Sequence, residues 1–262
     1  MKQTAMVNGL RLAYEDTGHG SPAMVLIHGA FADRSYYAAQ IEHLASRRRV
    51  LALDLRGHGE SDVPRDGYGL LDYARDALGV CEAAGLDRYV LCGHSMPVAL
   101  IAASLKPERV AGVVLLDGAI LQPEAMRAQV VASMVPILEG AGRVEAMQGY
   151  LVGRGIGPYD SAALKARVMA AIANAPAQVA APLMREVMTF DASQFLSGSY
   201  PLLYVHARMP VNLERLRELR PDVLLGAVVG SGHWLMLEVP DQVNAMLDRF
   251  LQIVESRSPL AG

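Results

Sequence analysis

The chain is expected to fold as an α/β protein, a mostly parallel sheet covered by helices on both faces. Short β-rich runs alternate with stretches of helical periodicity, the pattern of successive βα units. The inner runs are apolar throughout, as strands buried on both faces are. Of the 262 residues 52% are hydrophobic and only 19% charged, enough apolar side chain for a large core and far from the composition of a disordered chain.

The elements follow in order. Thr4 to Val7 and Leu10 to Glu15 form an opening hairpin around Asn8-Gly9, a dipeptide that tolerates positive φ at both central positions of a tight turn. Ala23 to Ile27, Val50 to Leu53, Tyr89 to Cys92 and Val110 to Leu116 are the buried strands. Ser35 to Ala45, Leu70 to Ala84 and Met96 to Leu105 carry apolar residues at helical spacing and are the crossovers. From Gln122 to Ser199 the texture becomes Ala- and Met-rich, with breaks at Pro136, Gly140 to Gly142, Gly153 to Pro158, Pro176 and Pro182, and no strand pattern. This stretch is expected to be a helical insertion. Strands at Leu202 to Val205 and Val223 to Val229 and helices at Leu213 to Leu219 and Asp241 to Val254 complete eight strands and six helices around one inserted lid. The core is therefore placed at residues 1–121 and 200–262 and the lid at 122–199.

Composition excludes several classes. Lys and Arg number 24 against 27 Asp and Glu, a charge of −3 that lacks the basic excess a nucleic-acid partner requires. No apolar span approaches the roughly 20 residues that cross a bilayer, so no membrane association is expected. The amino-terminal residues lack an apolar core and carry Glu15 and Asp16 where a cleavage site would fall, so a cytoplasmic location is expected. Cys81 and Cys92 both sit in apolar segments and are expected as buried thiols. No His-Glu-x-x-His, GxGxxG or P-loop pattern occurs, so neither a metal nor any other cofactor is expected. Oligomeric state is left open.

The chemistry concentrates at strand ends. Tyr89 to Leu105 reads YVLCGHSMPVALIAASL: a strand runs through Gly93-His94-Ser95 straight into a helix. A serine on so sharp a turn has its hydroxyl exposed beside the amides of a helix start. His28-Gly29-Ala30-Phe31, Asp54 to Ser61 and Gly230-Ser231-Gly232-His233 each follow a strand as well. On these four motifs the sequence resembles the α/β-hydrolase superfamily along essentially its whole length. The resemblance implies Ser95 as nucleophile, His233 as general base and the backbone amides of Ala30 and Met96 as oxyanion hole. Pro97 stands where the last glycine of the family's Gly-x-Ser-x-Gly belongs. Its ring is tolerated in a first helical turn, but close packing of helix on strand is expected to suffer.

The acid is less direct. Relatives usually carry it after the seventh strand, yet Tyr204 to Asn212 contains no carboxylate. A minority, haloalkane dehalogenases and certain cofactor-free dioxygenases among them, place it after the sixth strand, which here is Asp117. Glu214, Asn212 or a dyad without an acid stay open, and His206 is the one competitor to His233. Phe31, Trp234, Met126, Met134 and Met147 are candidates for an adaptable apolar pocket. Arg34 and Arg208 are the only nearby charges suited to an anionic substrate. The implied activity is hydrolysis of a small-to-medium apolar ester or lactone. Alternatives are a cofactor-free ring-opening dioxygenase, a C–C hydrolase, a hydroxynitrile lyase, or a ligand sensor of the same fold that turns over little.

Overall fold

Asn8 and Gly9 turn the chain at φ 52° and 79° and close β1 (Lys2–Val7) onto β2 (Leu10–Thr17). Two successive positive φ values give a two-residue turn whose twist matches that of the strands. The computed structural model describes residues 1–138 and 140–257. Strands β3 (Ala23–Ile27), β4 (Val50–Leu53), β5 (Tyr89–His94), β6 (Val110–Leu116), β7 (Leu202–His206) and β8 (Leu224–Ala227) complete an eight-stranded sheet of order β1-β2-β4-β3-β5-β6-β7-β8. The hairpin joins antiparallel at β4, and every later pairing is parallel. Every residue of β3, β5 and β6 is buried, as their unbroken apolar runs require.

Helices α1 (Ala38–Ala45), α2 (Leu70–Ala83) and α3 (Val98–Leu105) make the first crossovers. Between β6 and β7 lie α4 (Glu124–Met134), α5 (Arg143–Gly155), α6 (Ala162–Asn174) and α7 (Ala177–Thr189). The chain ends with α8 (Leu213–Leu219), the short α9 (Leu235–Glu238) and α10 (Pro240–Arg257). Alternate residues of the central strands feed two cores. Leu91, Val113 and Leu115 pack with α2 and α3. Val90, Cys92, Val114 and Leu116 pack with α10 and with Met147, Val168, Met184 and Met188 of the inserted helices.

Three local expectations differ from what forms. A 3-10 turn, Arg34–Tyr37, precedes α1, started by the Asp33 carboxylate accepting the Ser35 amide. The last strand is only four residues long and half-exposed. Gly153 and Pro182 lie inside α5 and α7 rather than ending them. Pro182 is on the exposed side of α7, so the one backbone bond it removes leaves a carbonyl facing water.

Candidate active site

At the end of β5 the chain reverses within one residue. Ser95 takes φ 63°, and Pro97 stands immediately before α3, where its missing N–H has no helical partner to lose. The elbow is tied to the next strand: Ser95 N–H donates to the Leu116 carbonyl at 3.1 Å, and its own carbonyl accepts from Ala119 at 2.7 Å. The packing loss expected from Pro97 does not occur. A Cβ on Gly93 would lie 2.8 Å from the Cβ of Ala99, so helix and strand meet as closely as a glycine permits, two residues after the proline. Gly29 approaches from the other side, where a Cβ would stand 2.9 Å from Ser95 Cβ and 2.7 Å from His94 Nδ1.

Asp117 follows β6 at φ 48° and is fully buried. Its Oδ1 accepts the amides of Ala207 (2.9 Å) and Arg208 (3.0 Å), and its Oδ2 accepts Met209 N–H at 3.0 Å. The same Oδ2 lies 2.7 Å from His233 Nδ1, with His233 only 2% exposed. Burial on its own raises a carboxyl's pKa, but the His233 bond and charge and the surrounding amides outweigh it and hold Asp117 below its ordinary value. The carboxylate that sequence places after β6 thus meets the imidazole, and the loop after β7 supplies amides instead of an acid. Glu214 is exposed in the first turn of α8, and Asn212 is spent capping that helix through Arg215 N–H. His206 stands on the far side of the acid, its Nδ1 3.7 Å from Asp117 Oδ1.

Three further histidines build the floor. His28 Nδ1 faces the Gly29 carbonyl at 2.8 Å while its Nε2 accepts Leu55 N–H. His58 Nδ1 faces the Arg56 carbonyl and its Nε2 accepts Phe31 N–H at 3.2 Å. Each ring is satisfied as one donor and one acceptor, the neutral form. Burial pushes His28 down to about 4 and His58 to about 3, and drives His94 well below its usual range. His94 Nε2 lies 2.9 Å from the His233 carbonyl, with the two rings 4.5 Å apart. Through Phe31, held at φ 60°, His58 fixes the loop that presents Ala30. The Ala30 amide has no acceptor among the described residues, whereas Met96 N–H lies 2.6 Å from the His94 carbonyl.

Phe31, Trp234 and Met147 are buried in the core that faces the inserted helices, and Met126 and Met134 pack half-buried against it. Arg34 is not available to a substrate, because it is buried in ion pairs with Asp54 and Glu60. Arg208 donates its Nε to the Arg154 carbonyl at the end of α5. Contacts from α5 and the loop after it onto the His233 segment were not visible in the sequence; the only trace is the spacing of Gly155, Gly157 and Asp160. Among the described residues no three metal-ligating side chains cluster, and no helix is long and apolar enough to cross a membrane.

Comparison with known proteins bears on the fold. Residues 22–135 match the family model of the alpha/beta hydrolase fold. A 2-(acetamidomethylene)succinate hydrolase from Mesorhizobium japonicum is 26% identical over 94% of this chain and 93% of its own. A 2-heptyl-3-hydroxy-4-quinolone dioxygenase from Rhodococcus erythropolis is 37% identical, but over 34% of each chain, so the match spans about a third of that enzyme. A thermophilic esterase from Thermogutta terrifontis superposes with a TM-score of 0.82 at 24% identity, over 97% of this chain and 99% of its own. The eight-stranded sheet and the match over residues 22–135 show that the chain has the alpha/beta hydrolase fold.

Proposed function

We propose that the chain is a serine hydrolase that cleaves a small-to-medium apolar carboxylic ester or lactone through an acyl-enzyme. The observation that carries the reading is the 2.7 Å contact between Asp117 Oδ2 and His233 Nδ1. An acceptor on Nδ1 fixes the tautomer that leaves Nε2 able to take a proton, and it stabilises the imidazolium that results. Ser95 Oγ, presented by the elbow, gives that proton up as it attacks the carbonyl carbon. The oxyanion is met by the free amide of Ala30 and by Met96 N–H, which it shares with the His94 carbonyl. Losing one donor of such a hole costs on the order of 3 kcal/mol in the transition state. His233 then protonates the leaving alkoxide and activates water to hydrolyse the acyl-enzyme. In this reading residues 122–199 are a lid, and Phe31, Trp234, Met126, Met134 and Met147 form the apolar wall beneath it.

One observation favours a second reading. The acid follows β6, as in the cofactor-free dioxygenases, and one relative over a third of the chain is a quinolone dioxygenase. There the His233–Asp117 pair would remove a proton from a substrate hydroxyl and Ser95 would be dispensable. The two separate cleanly on a chain-length series of p-nitrophenyl esters assayed beside oxygen uptake on a 3-hydroxy-4-quinolone. Hydrolysis requires ester turnover that falls by about 10⁴-fold or more in Ser95→Ala. Oxygen uptake that persists in Ser95→Ala, with no ester turnover in the wild type, overturns it in favour of the dioxygenase.

A further inference from the structure

We propose that Asp160, in the loop between α5 and α6, is a positioning residue for the His233 imidazole, acting through the backbone of Gly232; the inference rests on the reading of His233 as the base. Asp160 Oδ1 accepts Gly232 N–H at 2.7 Å, and its Oδ2 accepts Gly157 N–H at 2.8 Å. One carboxylate therefore bridges the helical insertion and the residue before the base. Bonds of this kind, amide to ionised carboxylate, are shorter and roughly twice as strong as neutral ones. His233 N–H itself donates to the Gly155 carbonyl at 2.7 Å, one of the carbonyls that the end of α5 leaves without a helical partner.

The fit is steric as well. A Cβ on Gly155 would stand 2.7 Å from Trp234 Cζ3 and 3.2 Å from His233 Cβ, and one on Gly157 would stand 2.9 Å from Gly232 N. Only glycines let the two backbones approach this closely. Ser161, the next residue, donates its N–H and its hydroxyl to Glu238 at 2.9 and 2.8 Å, so the α5–α6 loop grips the chain both before and after the base. The acid is held from the same place: Arg208, whose amide bonds Asp117, donates its Nε to the Arg154 carbonyl at 2.8 Å. By contrast, the His233 segment's ties to its own strand are weak. β8 is short, and beyond it, among the described residues, Val228 N–H donates to the His206 carbonyl at 3.1 Å and Val229 pairs at the exposed surface with the Gln242 side chain. Acid and base loops therefore both lean on the last turn of α5 and the loop after it. Displacing that loop frees Gly232 N–H and His233 N–H and leaves the imidazole positioned, among the described residues, only by His94 at the His233 carbonyl and by Asp117 at Nδ1.

The test compares wild type, Asp160→Asn and Asp160→Ala in the full chain. Steady-state kinetics on p-nitrophenyl butyrate is measured beside the downfield proton NMR signal of the His233–Asp117 hydrogen bond, identified by its loss in Asp117→Ala. Asn keeps one accepting oxygen and Ala keeps none. We expect kcat to fall between about tenfold and a hundredfold in Ala, with KM within twofold, an intermediate fall in Asn, and a shifted or broadened signal in the same order. Ala with wild-type kcat and an unchanged signal, or with a lowered melting temperature as its sole effect, overturns the proposal. If Ala fails to fold, Asn decides: wild-type kcat and signal overturn it, an intermediate kcat and a shifted signal support it. If the wild type turns over no ester, the hydrolase reading fails while the NMR comparison still decides whether Asp160 positions the imidazole.

Discussion

Asp117 meets more donors than any neutral side chain of its shape could accept. Three amides and an imidazole converge on its two oxygens at 2.7 to 3.0 Å. Asparagine at this position keeps the volume and loses one acceptor. If its NH2 faces Nδ1, the imidazole must accept there and carries its proton on Nε2, the wrong tautomer for a base. If it is flipped, the NH2 abuts the backbone amides. Asp117→Asn is therefore expected to lower kcat on an activated ester by about 10³- to 10⁴-fold, with KM little changed. It should also cost about 3 kcal/mol in urea unfolding, because buried amides lose a charged partner. An Asp117→Asn enzyme that retains most of its turnover would return the role of acid to a residue outside this contact.

At the scale of elements, the strand-to-helix joint is set by Gly93 and Ala99 rather than by residue 97. Gly93→Ala is expected to force α3 away from β5, displacing Ser95 and costing about 1 to 3 kcal/mol, as overpacking does. Pro97→Gly, which only loosens a first turn, is expected to leave turnover within a few-fold. Melting temperatures and kcat of the two variants, measured together, check this; equal effects would mean the proline sets the joint. The same contrast explains what the sequence made legible. The sheet could be read because its strands are continuous apolar runs; Ser95 and Asp117 stood out as candidates because each directly follows a strand, and His233 because it closes the Gly-Ser-Gly loop after the last one. The packing consequence of Pro97 could not be read, since it depends on which helix residue, here Ala99 two positions later, faces the glycine. Nor could the docking of α5 on the base, which is made by backbone amides and carbonyls that any residue possesses. Arg34 illustrates the converse: its sequence position beside the oxyanion loop says nothing of the buried partner, Asp54, that consumes it.

For the molecule as a whole, the histidine floor sets an acid limit. His28 and His58 each accept a backbone amide, so protonating either ring turns an acceptor into a donor facing another donor. Their pKa values, about 4 and about 3, lie below the 6.5 of an unfolded histidine, so between those limits the unfolded chain binds protons that the folded one refuses. Stability contributed by these groups is complete above pH 6.5 and is lost as pH falls toward the folded values. At pH 5 each ring then costs up to about 2 kcal/mol, against the roughly 5 to 15 kcal/mol that holds a domain together. His94, also driven down by burial, adds to the same slope. Carboxylates lose their contribution lower down: Asp117 is held below its usual range and Glu60 lies at about 2. Urea unfolding free energy should therefore fall from pH 6.5 to 5 with an uptake of two to three protons. His58→Gln, which still offers an acceptor to Phe31 but does not titrate, should remove about one of them. A flat profile over that interval would mean that the floor opens to water on protonation, and the oxyanion loop it supports would have to be held by something other than His58.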